Sequence, residues 1–154
     1  MHDLVGCDRV HGAVVTTVVP YLPEHLGQID FQDAQVGTFP DTQEYSERLL
    51  GAGPCWSLLD AQGIPLACAG LWIPWEGRGV LWAILGRDTP MLDLTRAAQK
   101  MFDAIGVRRL EFFVEVSFQQ GHRWALMLGF HAEGTMRAFD TMGRDYILYS
   151  KVST

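Results

Sequence analysis

The sequence predicts a single α+β domain over residues 1–154, an α/β three-layer arrangement with a mixed, mostly antiparallel sheet of about seven strands flanked by about four helices. Three observations lead there. Apolar periodicity switches between strand-like and helix-like in the order β-α-α-β-β-β-α-β-α-β-β. Three strand-like segments follow one another from Cys55 to Leu85, separated only by the short turns Ala61-Gln62-Gly63 and Glu76-Gly77-Arg78. A full amphipathic helix lies between the fourth and fifth strands, and such a crossover makes those two strands parallel within an otherwise antiparallel sheet.

The elements follow in order. Val14 to Val19 is β-branched and ends at Pro20, which suits a first strand. Pro23 marks a helix start, and His25 to Val36 reads as a loose polar helix. A second helix is announced by Asp41 with Glu44 three residues later, a capping-box spacing, and stopped by Gly51 to Pro54. CWSLLD, IPLACAGLWIPW and GVLWAIL are the next three strands. With Glu76-Gly77-Arg78 as a three-residue turn, Trp75 faces Gly79 and Trp72 faces Trp82. From Pro90 to Ile105, Met91, Leu94, Ala98, Met101 and Ile105 form one helical stripe, closed by Gly106. RRLEFFVEVS places Leu110, Phe112, Val114 and Val116 on one strand face and Phe113 between two glutamates on the other. HRWALMLGF is a short helix ended by Gly129 at positive φ, with Phe130 packing back on its last turn. HAEGTMRAF and DYILYSKV complete the sheet.

Composition excludes several functions. A formal charge of −6, from 18 acidic against 12 basic residues without a basic run, gives no footprint for sequence-specific nucleic-acid binding. Apolar runs such as Ala13 to Val19 fall short of the roughly 20 residues of a membrane-spanning helix. His2, Asp3 and Asp8 spoil a secretory leader, so the expected location is cytoplasmic at synthesis. Cys7, Cys55 and Cys68 lack disulfide-framework or zinc spacing and read as free or buried thiols. No metal site is expected, because none of the five histidines has the i, i+4 spacing of a helical metal pair.

The stretch ILGRDTPMLDLTRAAQKM, residues 84–101, runs from a buried strand into a helix, a place where many proteins bind phosphate. Its turn, Gly86-Arg87-Asp88-Thr89-Pro90, lacks the usual run of glycines. The element order, with Ala125-Leu126-Met127-Leu128-Gly129-Phe130 before the final strand pair, resembles the GNAT acetyltransferase superfamily. The resemblance implies that acetyl-CoA lies between the splayed fourth and fifth strands with its pyrophosphate on the following helix. Ile84, Leu85, Gly86, Arg87 and Thr89 are then the cofactor-binding candidates. Departures accompany the likeness. The family's Gln/Arg-x-x-Gly-x-Gly/Ala string is absent between Leu85 and Ala98. Asp88 stands where a diphosphate would sit, and two like charges about 4 Å apart repel by roughly 4 kcal/mol at an effective dielectric near 20. Pro90 removes an N–H donor and Thr89 is a ready N-cap, so the turn reads as a helix cap made without a ligand. Ala125 occupies the position at which many members carry a tyrosine acid, and the indole of Trp124 cannot replace it.

Within the superfamily the chain is similar to small acetyltransferase-like phage proteins known as internal virion protein A, through TFPDTQEY, GHRWALMLGF and GRDYILYSKV. That resemblance implies a non-catalytic structural or assembly protein of a tailed-phage particle, with protein partners, virion association and no cofactor. The alternative is an acetyl-CoA-dependent N-acetyltransferase acting on a small amine or protein amine. Glu115 and His122 are the weak catalytic candidates. Glu111 and Glu115, four strand residues and about 13 Å apart, are too distant to act as a carboxylate pair. Glu115 alone could take a proton from an amine, or could instead pair with Arg108, Arg109 or Arg123. Ser57, Ser117 and Thr135 have no nucleophile-elbow context. Trp72, Trp75 and Trp82, crowded on one hairpin, are the interface candidates.

Overall fold

The computed structural model describes residues 15–32, 35 and 43–154. Seven strands run β1 Thr17–Pro20, β2 Cys55–Leu59, β3 Pro65–Trp75, β4 Arg78–Leu85, β5 Arg109–Glu115, β6 His131–Met136 and β7 Tyr146–Val152. Among the described residues there are four helices, α1 Pro23–Leu26, α2 Gln43–Ala52, α3 Met91–Ile105 and α4 Gln119–Met127. They form one mixed sheet in the order β1-β2-β3-β4-β5-β7-β6. Only β4 and β5 pair in parallel, as the intervening helix requires. The expected strand start at Val14, the cap at Asp41, Val36 and Cys7 lie outside the described residues.

Period-2 alternation gives the sheet two distinct faces. One carries Leu81, Leu85, Leu110, Phe112 and Val114 into the main core beneath α3 and α4. Trp124 sits at its centre, edge-on to Phe112 at 5.3 Å, with its indole N–H donating to Thr95 Oγ1 at 2.9 Å. Phe130 packs back on Phe102 and Phe112, helped by Gly129 at φ +84°, a conformation that would strain any β-carbon. The other face packs Tyr21, Leu26, Ile29, Leu49, Cys68 and Ile84 beneath α1 and α2.

Four expectations are corrected. The polar helix from His25 onward does not form; α1 is a single turn, and the chain then runs extended, bridging Phe31 to Gly86. Burying Ile29 and Phe31 on Ile84 while hydrogen bonding the end of β4 outweighs a weak helical pattern. The β3–β4 hairpin closes through Glu76-Gly77 alone, so Trp75 pairs with Arg78, Trp72 with Val80 and Trp82 with Gly70. A bulge between Trp72 and Trp75 absorbs the difference at Pro74, which has no N–H for the ladder. Val116 leaves the strand face: β5 stops at Glu115, and Val116 is exposed. Thr89 does not cap α3. Its hydroxyl donates back to the carbonyls of Leu66 and Gly86, the N-cap is Pro90, and no side chain caps the helix.

Candidate functional site

β4 and β5 are paired only from Arg78↔Arg109 to Leu81↔Phe112. Beyond that point β4 stays with β3 as far as Leu85↔Ala67, while β5 stays with β7 as far as Glu115↔Tyr146. The strands therefore part, and a cavity of about 300 Å³ opens between them. Its walls come from Trp82 to Leu85, Phe112 to Glu115, Phe118, Tyr45, the β6–β7 loop and Tyr146.

A splayed edge leaves backbone groups that need partners. Two glutamines that follow α1 supply several. The Gln35 carboxamide accepts the Leu85 N–H at 2.6 Å and donates to the Ala83 carbonyl at 2.7 Å, as a neighbouring strand residue would. Gln32 donates to the carbonyls of Leu85 and Gly86. The sequence expectation of a helix here hides both residues; the lack of any 3.6-residue apolar stripe in FQDAQ, with only Phe31 as a large apolar side chain, is the available signal.

Above this edge lies the turn into α3. The cofactor-binding candidates Ile84, Leu85 and Gly86 line or border the gap, Arg87 is exposed and pairs with Asp30 at 3.4 Å, and Thr89 is buried and turned away. The first-turn amides of α3 have no side-chain cap, so the helix start is more open than the sequence suggests. Asp88, also exposed, places a negative charge at the same turn.

The two glutamates of β5 differ sharply. Glu111 is held by Arg78 at 2.6 Å and by Arg109 at 2.9 Å, and Arg109 continues to Glu133 at 2.8 Å. Burial pushes the Glu111 carboxyl up, but the hydrogen bonds from Arg78 and Arg109 together outweigh it and hold it below the ordinary carboxylate range. Glu115 lines the cavity, is 9% exposed, and accepts from the Ser117 N–H and hydroxyl through Oε2. It pairs with none of Arg108, Arg109 or Arg123; the arginine pairing goes to Glu111 instead. His122 lies outside the cavity lining. Its Nε2 donates to the Val116 carbonyl at 3.0 Å, which leaves Nδ1 to accept from the Tyr149 hydroxyl at 2.7 Å. The structure thus does not bring His122 and Glu115 together in the cavity.

Asp140, Tyr146 and Phe139 are wall residues that the sequence reading did not single out. Asp140 accepts from the Arg144 guanidinium at 2.6 Å, the Met142 and Arg144 N–H groups and the Tyr146 hydroxyl. Burial raises its carboxyl, yet these donors bring it below the usual range. Burial and the Asp140 charge push the Tyr146 hydroxyl up to about 12, so it stays protonated. The Trp82 indole N–H is buried and finds no hydrogen-bond acceptor. Of the other tryptophans on the hairpin, Trp72 is 50% and Trp75 61% exposed, the latter with Arg78 stacked 4.5 Å over its ring. Elsewhere, His25 Nδ1 lies 2.8 Å from Ser57 Oγ, itself 3.3 Å from Cys68 Sγ. Ser57 and Cys68 are fully buried, and burial pushes the Cys68 thiol up to about 12, so it stays protonated within the second core.

The sequence matches no family model and no curated protein. Solved structures do match. The fold is similar to the ribosomal-protein-S18-alanine N-acetyltransferase of Escherichia coli, with a TM-score of 0.72 and 19% identity over 91% of this chain and 96% of that one. It is also similar to a GNAT-family acetyltransferase of Streptococcus pneumoniae, with a TM-score of 0.69 and 17% identity over 91% and 100% of the two chains. The ribosomal-protein-S5-alanine acetyltransferase of Vibrio fischeri gives 0.66 and 15% over 89% and 92%. The likeness shows a GNAT-like fold, a mixed seven-stranded sheet with four helices among the described residues. No helix among the described residues is long and apolar enough to cross a membrane.

Proposed function

We propose that the protein is an acetyl-CoA-dependent N-acetyltransferase acting on a small amine or protein amine. The observation that carries this reading is the gap between Trp82–Leu85 and Phe113–Glu115, with a nearly buried carboxylate lining it and an uncapped helix following β4. The residues present fit the thioester arm better than the diphosphate. Ala83 and Leu85 offer the backbone edge once the Gln35 carboxamide moves aside, whereas at the turn Arg87 is offset by Asp88. Bound acetyl-CoA would supply the activated acyl group. Glu115 removes a proton from the incoming amine, held in place by its two bonds to Ser117. Trp124 is buried and committed to Thr95, and Ala125 carries no acid, so neither returns a proton to a departing thiolate. The Tyr146 hydroxyl, protonated in the cavity wall, is the remaining group that can give a proton to that thiolate.

A second reading keeps the scaffold without the chemistry. It is favoured by Gln35 filling the β4 edge and by Ala125, and it would use exposed Trp72 and Trp75 against a protein partner. Nothing in the comparisons supports a place in a phage particle for such a protein. Calorimetric titration with acetyl-CoA at low salt, followed by assay of CoA release with primary amines, separates the readings. The transferase reading expects a micromolar dissociation constant, with transfer abolished but binding kept in Glu115→Gln. Absence of binding contradicts it.

A further inference from the structure

The acceptor end of the gap has a chemistry of its own. Its described lining holds Trp82, Phe113, Phe139 and Tyr146, together with the carboxylates Glu115 and Asp140, and no lysine, arginine or histidine. Three of these rings form one run: Phe113 meets Phe139 at 5.3 Å and Phe139 meets Tyr146 at 5.0 Å. The loop that carries Phe139 is tied at both ends. Asp145 accepts the Ala138 N–H, Asp140 takes the Met142 and Arg144 N–H groups, and Ala138 is held at φ +49°, a conformation an alanine adopts only under constraint.

The carboxylates are not equivalent. Asp140 already has its cation in Arg144, whereas Glu115 has none among the described residues, and its Oε1 accepts from none of them. A nearly buried carboxylate facing an aromatic cavity without a counter-ion is a poor arrangement until a cation arrives. We infer that this end of the gap is a cation-selective site that takes a primary ammonium group beside an apolar substituent. Glu115 Oε1 then accepts from the ammonium while Phe139, Phe113 and Trp82 enclose the substituent. The inference deepens the transferase reading, naming its acceptor as a cationic amine without a neighbouring carboxylate, since the uncompensated Glu115 repels an anion.

The test uses benzylammonium, benzyl alcohol and benzoate on the full chain at pH 7, with dissociation constants taken from NMR shifts of the Trp82 indole and the Phe139 ring. Benzylammonium should bind at least tenfold more tightly than the alcohol, with benzoate silent over the same range. Glu115→Gln should bring the ammonium-to-alcohol ratio to about one, and Phe139→Ala should weaken ammonium binding severalfold in a protein with unchanged melting. Equal binding of the alcohol or benzoate, or selectivity that survives Glu115→Gln, overturns the inference. Should Glu115→Gln not fold, unchanged ammonium affinity in Phe139→Ala overturns it just as well. Ammonium selectivity in a protein that ignores acetyl-CoA upholds the inference and removes the transferase reading. Acetyl transfer confined to amines bearing an adjacent carboxylate keeps the transferase and overturns the inference.

Discussion

Two halves of the same strand pair behave differently. From Arg78 to Leu81, β4 is zipped to β5, and the neighbouring side chains on one face form a closed network of Arg78, Glu111, Arg109 and Glu133. From Trp82 onward the strands part, a glutamine side chain stands in for the missing strand, and Glu115 has no arginine among the described residues. Glu111 and Glu115 share a strand and a face, and their surroundings alone give one a structural role and leave the other available. Where the sheet is zipped, polar groups are used up by the fold; where it opens, they remain for a ligand.

The largest effect that can break this contrast is in packing. Phe112, buried on the helix-covered face against Trp124 and Phe130, should lose about 3–5 kcal/mol of stability on Phe112→Ala, whereas the half-buried cavity wall Phe113→Ala should lose about 1 kcal/mol. Urea denaturation of the two variants measures both. Similar losses would mean that the open half is an ordinary core.

Next comes charge. Glu111→Gln should cost about 2 kcal/mol, less than a fully buried pair, because Arg78 and Arg109 stay 25% and 30% exposed. Glu115→Gln should cost under about 1 kcal/mol. The folded Glu111 carboxyl titrates below its unfolded value, so the unfolded chain takes the proton first. Its contribution is therefore complete above about pH 5 and lost as pH falls through the folded value. Stability measured against pH should show that part of the acid limb flattened in Glu111→Gln and intact in Glu115→Gln.

The smallest effect belongs to the hairpin tip. Trp75→Ala removes an exposed ring and its stacking with Arg78, worth about 0.5–1 kcal/mol in thermal melts. A loss of several kcal/mol would show the tip to be part of the zipped structure and not a free surface.

What was legible in the sequence divides along the same line. The zipped framework was readable, because strand alternation in RRLEFFVE, the stripe of α3 and the glycines Gly106 and Gly129 are local signals with fixed periods. The parallel β4–β5 pair followed from the crossover helix alone. The open half was much less readable. That Gln35 would reach Ala83 and Leu85, or that Phe139 would meet Phe113, depends on contacts 48 and 50 residues apart for the glutamine, and on a loop for the phenylalanine. Neither has a period. The Trp72–Trp82 pairing failed because a hairpin register depends on a turn shortened by one residue and on a bulge at Pro74. Thr89 has the position of a cap, yet its hydroxyl donates to two carbonyls behind it, a contact that depends on the fold of β3 against β4.

The central claim is that the parted half of β4 is a ligand edge held in reserve by Gln35. Amide hydrogen exchange at Leu85, read by NMR with and without acetyl-CoA, tests it most directly, with Leu81 in the zipped half as the internal standard. In the free protein Leu85 should exchange faster than Leu81, because a single side chain guards it, and Gln35→Ala should quicken it further. Acetyl-CoA should slow Leu85 and leave Leu81 unchanged. An identical Leu85 rate with and without acetyl-CoA, in both the native protein and Gln35→Ala, would contradict the account.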